Sequence, residues 1–430
     1  MKKASLTALI LVMLVLNACG GNNNVNNNGG PTNADGGTET GGLSGEVTFV
    51  TNRTDLIDSG VYDNYEKSFN DKYPNVDVRF EGLTNYEQDI KVRLSTGEAG
   101  DVLLITGNVA QSELPEFFEP IDDIGSFENA YFADSKAFEG KRYGITSGVA
   151  TEGIVYNKNV FKAAGITTIP NTLDEFYTLC QKLKDSGVIP IYINYGAQWP
   201  MKQWGEVLVP AVAGDPEVLN KMVKEDAPFQ VDNHWGHSFS IVRNLIDKGY
   251  VEPDLSTNDW EMSKVDVATG AAGMYFLGNW VINQVIDAGA TTEDIGFFPF
   301  PYDNTGKINA VLNPDWFYVV SKNSKNKEAA KAFVKFMVEE SGYDRDQGFI
   351  PTMKDKKPAL PQLEEFTSYK PNMIETVAQS TEWNNIGNKA QIGFYTGDYI
   401  QTLALTDDLA GELAKLNAKW KQAKSDLGID

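Results

Sequence analysis

Chemistry in this chain would have to come from carboxylates and aromatic rings. There are 59 aspartates and glutamates and eight tryptophans, but only two histidines and two cysteines. The histidines sit together in His234-Trp235-Gly236-His237, a spacing that sets both imidazoles on one helical face. A metal site needs further ligands, and Gly236 weakens that helix, so no metal is expected. Ser44 in Gly-Leu-Ser-Gly lacks the Gly-x-Ser-x-Gly spacing of a nucleophile elbow. No glycine-rich phosphate loop is present, so any ATP hydrolysis must belong to a partner, and no cofactor is expected. An acidic pair of the kind glycosidases use stays open on composition alone.

What remains is non-covalent recognition by polar and aromatic loops. Thr51-Asn52-Arg53-Thr54-Asp55 both donates and accepts hydrogen bonds, and Arg53 or Asp55 serves there either as a ligand contact or as a helix cap. Thr106-Gly107-Asn108 offers Asn108, as a contact or as part of a simple turn. Gln198-Trp199-Pro200 and Asn313-Pro314-Asp315-Trp316 each place a tryptophan beside proline on a loop, where a large aromatic needs a reason.

These loops leave elements whose pattern is α/β. Short apolar runs alternate with amphipathic stretches from Glu46 onward, which predicts largely parallel sheets flanked by helices. Strands are expected at Glu46 to Val50, Val76 to Phe80, Val102 to Ile105, Ile154 to Tyr156, Val188 to Ile193, Met274 to Leu277 and Phe317 to Val320. Tyr62, Tyr65, Phe69 and Tyr73 form one helical stripe, stopped by Pro74. Thr172-Leu173-Asp174-Glu175 reads as a capping box for a helix that carries Leu173, Phe176, Cys180 and Leu183 inward, making Cys180 an inert core thiol. Trp235, Trp260 and Trp420 read as core residues on helical stretches. Ligands of open α/β sheets lie beyond the carboxyl ends of the strands, where these polar and aromatic loops are found.

The chain's start points outside the cytoplasm. Lys2 and Lys3 precede an apolar run from Leu6 to Leu16 that is too short to span a bilayer, as in a secretory signal. Leu16-Asn17-Ala18-Cys19 resembles a lipobox, so residues 1–18 are expected to be a lipoprotein signal peptide and Cys19 the lipidated residue. Residues 19–44, rich in glycine and asparagine, bury too little apolar surface to order themselves and read as a tether. This combination suits the outer face of a cytoplasmic membrane at a Gram-positive cell surface. With Cys19 lipidated, Cys180 has no disulfide partner. The formal charge of −22, more negative still once Lys2 and Lys3 leave, argues against nucleic acid, phosphorylated ligands and anionic membranes. A neutral or weakly cationic ligand fits better. The chain beyond the tether is long enough for about two domains.

An ordered set of motifs resembles the extracellular solute-binding proteins of carbohydrate ABC importers, the family that includes maltose-binding protein. The set runs Phe69-Asn70-Asp71-Lys72-Tyr73-Pro74, Gly97-Glu98-Ala99-Gly100-Asp101-Val102, Gly140-Lys141-Arg142-Tyr143-Gly144-Ile145, Tyr156-Asn157-Lys158-Asn159-Val160-Phe161, and Gly270 to Trp280 ending in Gly-x-Trp. The resemblance implies a two-lobed periplasmic-binding-protein-like α/β fold, each lobe a sheet flanked by helices, with a ligand cleft at the hinge. The first lobe would comprise 45–150 and 315–349, and the second 151–314 and 350–430. It implies capture of a sugar or oligosaccharide by hinge closure and delivery to ABC permease subunits with their ATPase, by a monomer without enzymatic activity. Trp280 matches a position whose ring stacks on sugar, Glu152 or a neighbour would contact ligand near the hinge, and Tyr395, Phe394 or Trp383 would add a late aromatic. Alternatives on the same fold are a polyamine or other small solute; a surface glycan-active enzyme is the alternative of another class.

Overall fold

A computed structural model describes residues 42–84, 86–105 and 109–429. The expected signal peptide, Cys19, nearly all of the expected tether and Asn108 therefore lie outside the described residues. The strands, in chain order, are β1 (Gly45–Thr51), β2 (Val76–Gly82), β3 (Val102–Ile105), β4 (Phe118–Glu119), β5 (Ala137–Phe138), β6 (Lys141–Arg142) and β7 (Gly144–Thr146). They continue with β8 (Val149–Asn157), β9 (Ile189–Tyr192), β10 (Ala272–Gly278), β11 (Ile295–Phe298), β12 (Asn309–Pro314), β13 (Phe317–Ser321) and β14 (Asn372–Glu375).

Two six-stranded sheets organise them. The first has the order β2-β1-β3-β13-β4 with β7 also on β13; the second has the order β14-β12-β8-β10-β9 with β11 also on β8. The pattern of alternating apolar runs predicted largely parallel sheets, and the structure corrects this. β1 is parallel to β2 and β3, but β13 runs antiparallel to β3, β4 and β7. In the second sheet β8 runs antiparallel to β10, β11 and β12. β8 and β13 are the strands by which the chain passes between the sheets, each over a two-residue link, 147–148 and 315–316.

Side-chain alternation divides the cores. Along β8 and β10, Ile154, Tyr156, Met274 and Phe276 enter one cluster, while Val155, Tyr275 and Leu277 enter another on the opposite face. The second sheet is thus covered on both sides, and its strands are apolar at nearly every position. The first sheet packs Phe49, Val102, Tyr318 and Phe333 in a third cluster. The helix Leu173–Asp185 is capped as its sequence predicts, with Glu175 N–H donating to Thr172 Oγ1 (3.3 Å), although the Glu175 carboxylate accepts from Asn171 N rather than from Thr172. Cys180 is fully buried, and burial pushes its thiol pKa well up. Trp235 and Trp420 are core residues too.

Three segments pass between the sheets side by side. Ser147 N donates to the Trp316 carbonyl (2.7 Å), Asp315 N to the Gly148 carbonyl (2.9 Å), and Val149 and Ile350 exchange two bonds of 2.9 Å. A Cβ on Gly148 would stand 2.6 Å from the Phe349 ring, so the close approach of the first and third segments needs glycine there.

Candidate functional site

A cleft of about 710 Å³ opens where these segments meet, within the size range of small-molecule sites. The register of β8 on β10 sets Glu152 opposite Gly278, and the pairing of β12 with β8 sets Asn313 opposite Ala150. Residues far apart in sequence are therefore brought to one wall by strand pairing alone.

The aromatic part of the cleft is built from tryptophans. Trp199 opens the 3₁₀ turn Trp199–Trp204, and Trp280 precedes the helix Val281–Asp287. Their ring centroids are 5.6 Å apart, and Trp260 backs both at 5.0 and 6.1 Å. Trp260 is half-buried behind the cleft rather than sealed in the core. Trp316 also lines the cleft, its ring edge-on to Tyr86 at 5.3 Å. The single proton of the Tyr86 hydroxyl lies between the Val50 carbonyl of β1 and the Leu104 carbonyl of β3, and the oxygen accepts from Leu104 N, so that ring is fixed. Gln198, just before Trp199, adopts φ +67, a region costly for any residue but glycine.

The polar part is acceptor-rich. Glu152 accepts from Asn313 Nδ2 (2.9 Å), and Asp315 accepts from Ser147 Oγ (2.9 Å). Burial pushes the Glu152 carboxyl up to about 7 against the opposing pull of Asn313 and Lys202, and raises Asp315 as well. The Lys202 ammonium acts on both by its charge, yet among the described residues it donates to neither. Gln203 is 2% exposed and lines the cleft, and its Oε1 has no partner among the described residues; nor has Asn52 Oδ1. Buried acceptors without a protein partner favour a ligand that donates hydrogen bonds.

Of the residues singled out by sequence, Arg53, Glu152, Trp199, Trp280, Trp316 and Tyr395 line this one cleft. Arg53 donates from Nε and Nη2 to the two Asp55 oxygens (2.8 and 2.6 Å) and from Nη1 to Gln347 Oε1. Burial disfavours the Arg53 charge, but the Asp55 carboxylate outweighs it and holds its pKa above the usual value. Asp55 does not line the cleft; its side chain is 62% exposed and turned to Arg53. Trp383 and Phe394 are buried, which leaves Tyr395 as the late aromatic in the cleft, its hydroxyl bonded to Asn384 Oδ1 at 2.9 Å. His237 Nε2 donates to the Tyr302 carbonyl (2.7 Å), and among the described residues no group of three or more His, Cys, Asp or Glu is placed to hold a metal ion.

Sequence reasoning missed Lys202, Gln203 and Gln347. Lys202 and Gln203 follow Trp199 within a 3₁₀ turn, a conformation that their charge and polarity do not signal.

Residues 52–344 match the family of bacterial extracellular solute-binding proteins. A multiple sugar-binding protein of Streptococcus mutans is 23% identical, over 63% of this chain and 66% of its own length. Among solved structures, a manno-oligosaccharide specific solute binding protein of Bifidobacterium animalis subsp. lactis, in complex with mannotriose, is similar with a TM-score of 0.81 and 28% identity, covering 90% of this chain and 96% of that one. A binding protein of an ABC transporter from the same organism, in complex with mannobiose, gives 0.79 and 29% over 89% and 95%. With a two-lobed α/β fold and a match across most of its length, this chain belongs to the bacterial extracellular solute-binding proteins.

Proposed function

We propose that the chain captures a carbohydrate in this cleft and delivers it to the permease subunits of an ABC importer, whose ATPase drives uptake. The observation that carries this reading is the pairing of Trp199, Trp280 and Trp316 with an acceptor-rich wall in one cleft. A sugar ring has two apolar C–H faces and a rim of hydroxyls, so stacking aromatics and converging acceptors meet both of its surfaces. The sugar-binding relatives support the same reading. Arg53, Glu152, Trp199, Trp280, Trp316 and Tyr395 are the proposed contacts, with Asp55 orienting Arg53 and Asn108, which follows β3 in sequence, as a further proposed contact.

The lobes that close on the ligand are 45–150 with 315–349, and 151–314 with 350–430. The protein acts as a monomer and does not turn its ligand over. It is held outside the cytoplasmic membrane by lipid on Cys19, after removal of residues 1–18, with 19–44 as the tether. Among the described residues no helix is long and apolar enough to cross a membrane.

A thermal-shift screen against mono- and oligosaccharides, polyamines and amino acids tests the function, because a ligand that binds only the folded state raises its melting temperature. A carbohydrate hit is expected. Trp280→Ala should weaken it by on the order of 2 kcal/mol, roughly 30-fold. A polyamine hit with silence from every sugar would refute the carbohydrate assignment, and release of sugar products on incubation would refute the absence of turnover.

A further inference from the structure

We propose that a second chamber beside the main cleft is a subsite for one more sugar unit, so that the ligand is an oligosaccharide whose end unit shares a hydroxyl hydrogen bond with Glu206. This rests on the carbohydrate reading above. The chamber has a volume of about 250 Å³ and shares Lys202, Asn313, Asp315, Trp316 and Tyr395 with the main cleft, so the two spaces adjoin. A cavity of about 150 Å³ is enough to hold benzene, so this one has room for a six-membered ring.

Glu206 lines the chamber and not the main cleft. Its Oε2 accepts from the Tyr399 hydroxyl (2.7 Å), whereas its Oε1 is buried with no partner among the described residues. A buried carboxyl oxygen without a partner is costly whether or not it carries the proton that burial favours, and a ligand hydroxyl, which both donates and accepts, would remove that cost. Phe132, also in the lining, holds φ +56, in the left-handed region that bulky side chains avoid.

Titration calorimetry on the whole protein, with mannose, mannobiose, mannotriose and mannotetraose and the matching glucose and N-acetylglucosamine series, tests the subsite. Affinity should rise at least tenfold on adding the unit that reaches the chamber. Glu206→Leu, which leaves no hydrogen-bonding group at that place in the chamber, should remove that gain while binding of the shorter sugar stays within twofold. Ala378→Phe should do the same by filling a chamber that Ala378 lines. The retained affinity for the shorter sugar shows that both variants fold. A gain that survives both substitutions, or a monosaccharide bound as tightly as its longer relatives, would overturn the subsite while leaving the carbohydrate reading intact. Silence from every saccharide would overturn both.

Discussion

A Cβ on Gly278 would stand 2.3 Å from Trp280 Nε1, so the indole can fold back over the end of β10 only because this residue has no side chain. Gly278→Ala should therefore displace the ring without unfolding the sheet. The expected outcome is at least a tenfold loss of ligand affinity by calorimetry and altered tryptophan fluorescence, with far-ultraviolet circular dichroism unchanged. Unaltered affinity would mean that the ring's position does not matter to binding. At this scale the sequence is informative where a residue is out of place. Trp199, Trp280 and Trp316 are large rings beside glycine or proline on loops, and such positions ask for a reason. Lys202 and Glu206 are ordinary charged side chains in a chain full of them. Only the turn that folds them back toward Asn313 and Asp315 gives them a role, and no local spacing announces that turn.

At the level of elements, the strands were readable because each is a short apolar run, whereas their directions were not. Nothing in Ile154 to Tyr156 reveals that the strand begins at Val149 and is the chain's own passage from one sheet to the other. That passage is held by Asn279, a residue whose place in the sequence marks it only as the middle of Gly-x-Trp. Its buried Oδ1 accepts from Thr151 N (2.7 Å) and its Nδ2 donates to the Gly348 carbonyl (2.5 Å), tying the first passing segment to the third. Asn279→Ala would leave a buried N–H and a buried C=O without partners. At about 1–3 kcal/mol for each such group, the variant should lose on the order of 2–4 kcal/mol in urea unfolding. It should also bind ligand more weakly, since the two segments would no longer be held in one geometry. Full stability in the variant would show that water replaces both bonds.

For the molecule as a whole, the carboxyl groups gathered between the two sheets set the pH dependence of stability. Burial raises Glu152 to about 7 and Glu206 to about 8 from an ordinary 4.5, and also raises Asp315. A group whose pKa is raised by folding keeps its proton longer in the folded state. The stability it contributes is complete below pH 4.5 and is lost as pH climbs through the folded value. Lys136 acts in the opposite sense: burial lowers it to about 7, so its contribution grows as pH rises from 7 toward its ordinary 10.5. Below about pH 4 the exposed ion pairs set the limit, because Asp55, Asp215 and Glu81 are all held below their ordinary values by basic partners and lose that advantage on protonation. Melting temperature should accordingly peak near pH 5 and decline toward pH 8. Glu206→Gln separates this account from a general effect of the −22 charge, since repulsion among surface carboxylates is unchanged in the variant. A glutamine has no proton to lose and can still accept from Tyr399. The decline between pH 5 and 8 should therefore shrink by a few kcal/mol in the variant, read as a flatter curve of melting temperature against pH. Parallel curves would place the cause on the surface and not between the sheets.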